Sequence, residues 1–310
     1  MKIVYMGTPD FAVLALSELI NSKHEVVAVF SQPDKAKGRS NKLVFTPVKE
    51  CALKHDIPVY QPEKLREAEN VDLLKNINPD VIVVAAYGQI LSEEILNIPK
   101  YGCINIHASL LPKYRGAAPI EWSIINGEKE TGVTTMYMEK GLDTGDMIDK
   151  TVVAIEPDDT GLTLHDKLAE AGSKLILETL DKLENNTAKR TKQNDEESCY
   201  ASMLDKKMGK MDFTKSATEL ERLIRGLIPW PCAYTSIDGK NVKLYLAQVK
   251  ETGVNDNPGE IIEINKKNFV IACGEDALII KSLQPEGKKQ MDAASYLNGN
   301  KLTVGMVAGE

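Results

Sequence analysis

The chain opens on a short apolar run, KIVYMG, and continues with TPDFAVLALSELINSK, whose apolar positions recur every three or four residues. The first pattern predicts a strand and the second a helix, with Thr8 as its N-cap and Pro9 at its first position. EVVAVFSQ then predicts a second strand. The alternation continues through TPVKECALKHD (helix), IPVYQ (strand) and NVDLLKNINPD (helix) to VIVVAAYG, a strand apolar on both faces. After a short helix at SEEILNI come the strand INIHA, the helix APIEWSIING and two strands, TGVTTMYME and MIDKTVVAIEP. A long helix, TGLTLHDKLAEAGSKLILETLDKLEN, carries Leu164, Leu168, Leu175 and Leu183 near one face. Strands alternating with helices predict an α/β domain built on a parallel sheet.

The pattern then changes. NNTAKRTKQNDEES holds almost no apolar residues and reads as a linker. Beyond it a short helix, SATELERLIRG, leads into CAYTSIDGKNVKLYLAQVK, two runs joined by Asp238-Gly239 in hairpin style. Further short strands follow in GEIIEINKKNFVIACGEDALIIKSLQP, and about five strands in roughly a hundred residues predict a small OB-like β-barrel. The expected organisation is a catalytic α/β domain over 1–188, a linker over 189–205 and an OB-like C-terminal domain over 206–310.

A length of 310 residues fits two domains better than one. The net charge of −7 argues against a general nucleic-acid coat protein, but the charge is unevenly spread. Residues 206–310 carry 15 Lys and Arg against 13 Asp and Glu, leaving 23 against 32 in residues 1–205. The C-terminal part is therefore the one suited to a polyanion. Five cysteines lie far apart without a Cys-x-x-Cys pair, which suggests neither a disulfide framework nor a zinc site, so no metal is expected. No apolar run approaches the roughly 18 residues that cross a bilayer, and the N-terminus lacks the pattern of a signal peptide. A cytoplasmic protein with no membrane partner is expected.

The chemistry concentrates in three places. The opening loop MGTPDFA has one glycine where a dinucleotide fingerprint wants three, so Gly7 reads as a packing turn. Asn105 and His107, two apart on a strand, share a face, with Ile104, Ile106 and Ala108 on the other. Both can donate to a developing oxyanion, and the carboxyl ends of parallel strands are where such sheets bind ligands. Downstream, Asp143 sits between two glycines in GLDTG; beside the Asn-His strand it could orient His107 and favour its charged form, whereas the plainer reading is a tight turn. No G-x-S-x-G elbow or activated cysteine accompanies the three, which points to a nucleophile that arrives on the substrate. Third, QPDKAKGRSNKL holds Lys35, Lys37, Arg39 and Lys42; it reads as a solvated loop or as a grip on a phosphate-rich substrate.

Asn105-x-His107-x-Ser109-Leu110-Leu111-Pro112, followed by Gly141-x-Asp143-x-Gly145, resembles the formyltransferases that use 10-formyltetrahydrofolate. The start IVYMGTPDFA, the basic loop, LLPKYRGAAPIEW and IRGLIPWPCAYT extend the resemblance over nearly the whole chain, toward the branch that acts on methionyl initiator tRNA. The resemblance implies a Rossmann-like N-terminal domain, an OB-like tRNA-binding C-terminal domain, and formyl transfer from 10-formyltetrahydrofolate to the methionyl α-amino group, releasing tetrahydrofolate. It implies Asn105, His107 and Asp143 as the catalytic trio, and Ser109, Leu110, Leu111 and Pro112 as a folate-binding segment. Tyr87, Gly88, Gln89 and Ile90 match a loop that contacts the pterin. Arg39 matches an arginine that engages the aminoacyl end of the tRNA, with Lys37 and Lys42 beside it.

Other readings stay open at this level. A glycinamide ribonucleotide enzyme would end near the first domain. An amino-sugar nucleotide formyltransferase can carry a similar second domain, and the basic loop is what favours tRNA over it. A formyltetrahydrofolate hydrolase would transfer to water, and a non-catalytic RNA-binding module would not need the intact Asn-His-Asp set.

Overall fold

The computed structural model of the chain describes residues 1–37, 42–255 and 257–309, with only the backbone at 36, 37 and 42. The chain divides into two units. The first holds Met1–Pro119, Glu130–Ala154 and His165–Ala201; the second holds Ile120–Lys129, Ile155–Leu164 and Ser202–Glu310.

The first unit is built on seven strands: β1 (Lys2–Gly7), β2 (Glu25–Phe30), β3 (Val59–Tyr60), β4 (Val81–Ala85), β5 (Cys103–His107), β6 (Glu130–Tyr137) and β7 (Met147–Ala154). Their order is β7-β6-β5-β4-β1-β2-β3. Strands β1 to β5 are parallel, as the alternating pattern predicts. Strands β6 and β7 differ: β6 runs antiparallel to β5, and β7 antiparallel to β6. The loop between β6 and β7 holds no crossover helix, and a parallel pair needs one. Helices α1 (Phe11–Ile20), α2 (Pro47–Leu53), α3 (Ala68–Ile77), α4 (Glu93–Leu96), α5 (Pro119–Ile125) and α6 (Gly161–Glu184) complete the alternation along the chain, although α5 from Ile120 on and the first turn of α6 fall in the second unit.

Two local details depart from the sequence reading. Helix α1 starts at Phe11, with Asp10 rather than Thr8 in the capping position. The Thr8 hydroxyl instead donates to the Tyr87 carbonyl at 2.9 Å and accepts from the Gln32 amide at 3.2 Å, which ties the ends of β1, β2 and β4 together. Residues 189–205, expected as a linker, are docked as far as Ala201. Thr191 exchanges two backbone bonds with Met147 at 2.8 and 2.9 Å, Gln193 is buried, and Tyr200–Ala201 pairs in parallel with Arg115–Gly116. A segment poor in apolar residues docks in this way when its backbone and amide groups find polar partners.

The core of the sheet packs Val4, Met6, Phe30, Leu74, Ile82 and Val84. Helix α6 buries Leu164, Leu168, Leu175 and Leu183, the face that its spacing predicts. Its Gly172 lies against Ile106, where an added Cβ would come within 2.9 Å. Ile106 thus faces α6, and its strand neighbours Asn105 and His107 face away from it.

In the second unit, α7 (Ala217–Gly226) begins with a capping box between Ser216 and Glu219. Strands β8 (Ala233–Ile237), β9 (Lys240–Val254), β10 (Ile261–Ile264), β11 (Phe269–Ala272) and β12 (Glu275–Pro285) form an antiparallel sheet in the order β8-β9-β12-β11-β10. Asp238 and Gly239 turn the β8–β9 hairpin with φ of 52° and 66°, as its Asp-Gly sequence predicts. The β10–β11–β12 meander returns to lie beside β9, the Greek-key arrangement of OB-like domains. Phe213, Leu220, Ile224, Leu244, Phe269 and Leu283 fill its core. No helix among the described residues is long and apolar enough to cross a membrane.

Candidate active site

Strand β5 supplies the first two groups. Asn105 lies opposite Val84 of β4 and Met136 of β6, and His107 opposite Thr134 of β6. Both are nearly closed off, at 9% and 6% exposure. The His107 Nε2–H donates to the Tyr114 carbonyl at 2.9 Å, and Nδ1 stands 3.7 Å from Asp143 Oδ2. Among the described residues nothing hydrogen-bonds the Asn105 side-chain amide, so its N–H groups are available to an incoming acceptor.

Asp143 arrives on the β6–β7 loop, and the structure brings it to His107 as the sequence reading required. Its φ is +52°, a region that costs a non-glycine residue roughly 1–3 kcal/mol. The surrounding loop holds it there. Gly145 is obligatory, because a Cβ would fall on the Tyr137 carbonyl oxygen. The Gly116 N–H donates to Asp143 Oδ2 at 2.9 Å.

The Ser109–Pro112 segment leaves the end of β5 and turns at once. Thr134, fully buried, donates to the Ser109 carbonyl at 2.7 Å and accepts from the Leu111 amide at 3.2 Å. Lys150 donates to the Leu111 carbonyl, and burial pulls the ammonium down from its ordinary value. The Ser109 hydroxyl donates to the Lys113 carbonyl at 2.6 Å, and Leu111 packs with Met136 and Met147. The segment is therefore a fixed wall beside Asn105 and His107.

Tyr87 to Ile90 follow β4, next to β5 in the sheet, so they share the same carboxyl edge. Tyr87 is buried, and its hydroxyl has no partner among the described residues. Gln89 accepts from the Leu65 amide at 2.7 Å and donates to the Pro62 carbonyl at 2.9 Å, which fixes the turn. Ile90 stands 88% exposed. Of the basic loop, Lys37 and Lys42 pair at the ends of two short strands, Lys35–Lys37 and Lys42–Val44; Arg39 lies outside the described residues.

Burial pushes the Cys103 thiol up to about 12, so this cysteine is not activated. A cavity of about 690 Å³, lined by Lys100, Tyr101, Tyr137 and Arg190, opens beside Gly102 at the other end of β5 and contains none of the trio. Thr134, Lys150 and Gln193 act through contacts with residues distant in the chain, and Tyr114 through its backbone carbonyl, so no sequence pattern marks them.

The family model for formyl transferase matches residues 1–180, and that for the formyl transferase C-terminal domain matches residues 203–301. The chain belongs to the formyl transferase family. It is 52% identical over 310 residues to the methionyl-tRNA formyltransferase of Alkaliphilus metalliredigens, covering 100% of this chain and 99% of that one. It is 52% identical over 308 residues to the methionyl-tRNA formyltransferase of Clostridium perfringens, covering 99% of each. Among solved structures it resembles the N-formyltransferase of Helicobacter canadensis, in complex with folinic acid and dTDP-3-aminofucose, with a TM-score of 0.68 at 24% identity over 92% of this chain and 99% of that one. The sugar 3N-formyl transferase WlaRD, with dTDP and 5-N-formyl-THF, gives 0.67 at 24% identity over 93% and 99%. At such identities the likeness establishes the fold, and the membership expected from the Asn-His-Asp motifs is borne out by the family match.

Proposed function

We propose that the chain transfers the formyl group of 10-formyltetrahydrofolate to the α-amino group of methionyl initiator tRNA. The observation that carries this reading is Asn105, His107 and Asp143 gathered at the end of β5 in a chain similar to methionyl-tRNA formyltransferases over its full length. The folate supplies a formyl group on nitrogen. Asn105, whose amide is unpartnered among the described residues, fits a developing formyl oxyanion, and the Ser109–Pro112 wall with the Tyr87–Ile90 turn would hold the folate.

The neutral methionyl amine attacks the formyl carbon, and negative charge grows on the formyl oxygen. Asn105 donates one hydrogen bond to it. His107 donates a second once its Nε2–H exchanges the Tyr114 carbonyl for the oxyanion. A donor of this kind is worth about 2.7–4 kcal/mol of barrier. Asp143, facing Nδ1, balances the charge of an imidazolium and provides a carboxylate for the proton that leaves the ammonium. An equal proton must reach the departing folate nitrogen. Arg39, with Lys37 and Lys42, would grip the acceptor end of the tRNA from the loop after β2, because a guanidinium holds phosphate by two parallel bonds.

Incubation with 10-formyltetrahydrofolate and methionyl initiator tRNA should yield N-formylmethionine on the tRNA. Formylation of a dTDP-amino sugar in place of the tRNA would support the amino-sugar reading instead, and release of formate to water would support a hydrolase.

A further inference from the structure

Residues 191–201 lie across both arms of the catalytic cluster. On one side Gln193 Nε2 donates to the carbonyls of Asp143 and Gly145, each at 2.8 Å. On the other, Gln193 Oε1 accepts from Arg115 Nε at 2.9 Å, and Arg115 Nη2 donates to Asp195 at 2.8 Å. The backbone adds a second seam: the Arg115 amide donates to Cys199 and the Ala117 amide to Ala201, both at 2.9 Å. The two arms meet at the reacting groups. The 114–116 arm holds His107 through the Tyr114 carbonyl and Asp143 through the Gly116 amide.

Asp143 gains from external support, because its φ of +52° lies in a left-handed region that non-glycine residues adopt uncommonly, although aspartate adopts it more readily than most. Gln193 provides it through atoms of a required kind. A guanidinium can only donate and two carbonyls can only accept, so the amide orientation is fixed. A glutamate at 193 would have the right size and would keep Arg115, but would turn an oxygen toward the two carbonyls.

We propose that Gln193 is a positioning residue for Asp143, and that residues 191–201 belong to the catalytic apparatus as a strap over its two arms. The inference rests on the formyl-transfer reading of the site. In the full chain, Gln193→Ala should slow single-turnover formylation about 10- to 100-fold, with both substrate KM values nearly unchanged. Gln193→Glu should lose at least as much, although it conserves volume. On an Asp143→Asn background, Gln193→Ala should add little, because its effect passes through Asp143. A Gln193→Glu enzyme as active as the wild type, or fully additive losses in the double variant, would overturn the proposal. A readout independent of activity separates it from the function itself. Amide hydrogen exchange at 141–145 should quicken in Gln193→Ala while β4 and β5 stay protected, and unchanged exchange there would also overturn it. A wild-type chain without formyl transfer would refute the proposed function and leave the exchange result to decide on the strap.

Discussion

Replacing Thr134 by valine removes one hydroxyl from a fully buried position on β6, opposite His107. That hydroxyl donates to the Ser109 carbonyl at 2.7 Å and accepts from the Leu111 amide at 3.2 Å. Valine has the same shape, so no cavity forms and both backbone groups lose their partner. Each buried polar group left unsatisfied costs about 1–3 kcal/mol, and the additional buried methyl returns roughly 0.8 kcal/mol. The net loss is therefore about 1–5 kcal/mol, centred near 3 kcal/mol. It should show in urea unfolding, in the transition that belongs to the first unit, because a chain of two units need not unfold in one step. If the 109–112 turn shifts to recover its bonds, the loss moves into affinity for a folate analogue, measured by titration. Thr134→Ser keeps the hydroxyl and should restore folate-analogue affinity, at a cost of about 1 kcal/mol for the lost methyl. Stability and folate affinity both within about 0.5 kcal/mol of wild type in Thr134→Val would refute the reasoning.

Arg39→Ala should cripple formylation of methionyl-tRNA more than Lys35→Ala does and leave folate-analogue affinity nearly unchanged; equal activity of all three proteins would make the loop a bystander. Affinity for methionyl initiator tRNA should fall as salt rises, because cations released from the nucleic acid drive part of the binding, and a flat salt profile would remove the electrostatic grip. Asp34 sits at the base of the loop; burial opposes its ionisation, but the Gln61 amide and the Lys49 ammonium outweigh burial and hold its carboxyl below the usual range. Its ionised form therefore stabilises the fold above the unfolded value of about 3.9, and that contribution fades as pH falls through the lower folded value. Asp34→Asn should accordingly lower the urea midpoint at pH 7, with the gap to wild type closing as the pH falls through the depressed folded value; a gap independent of pH would contradict this.

Period-two placement on β5 made the shared face of Asn105 and His107 legible in the sequence, and the glycines around Asp143 marked a turn that only the fold could bring beside them. Helical spacing gave the buried face of α6, and Asp-Gly gave the β8–β9 hairpin. What stayed illegible depended on pairings remote along the chain. The antiparallel run of β7 was implicit in a β6–β7 connection that holds no helix, but strand alternation alone suggested a parallel sheet. Composition measures apolar burial, so it read 189–205 as a linker and missed a segment docked through Gln193 and backbone bonds. Thr8 looked like a cap because its type favours caps, yet its hydroxyl joins three strand ends instead.

The central claim is that Asn105 and His107 donate to the formyl oxygen in the transition state. It is tested most directly by single-turnover formylation of methionyl initiator tRNA, with 10-formyltetrahydrofolate saturating, by the wild type, Asn105→Ala and His107→Ala. Each variant should be slower by about 10²- to 10³-fold, with urea unfolding and folate-analogue affinity close to wild type. The Asn105 variant is the cleaner of the two, because its amide has no partner among the described residues to be lost from the fold. A rate within about threefold of wild type in either variant, with the chain folded and folate bound, would contradict the account.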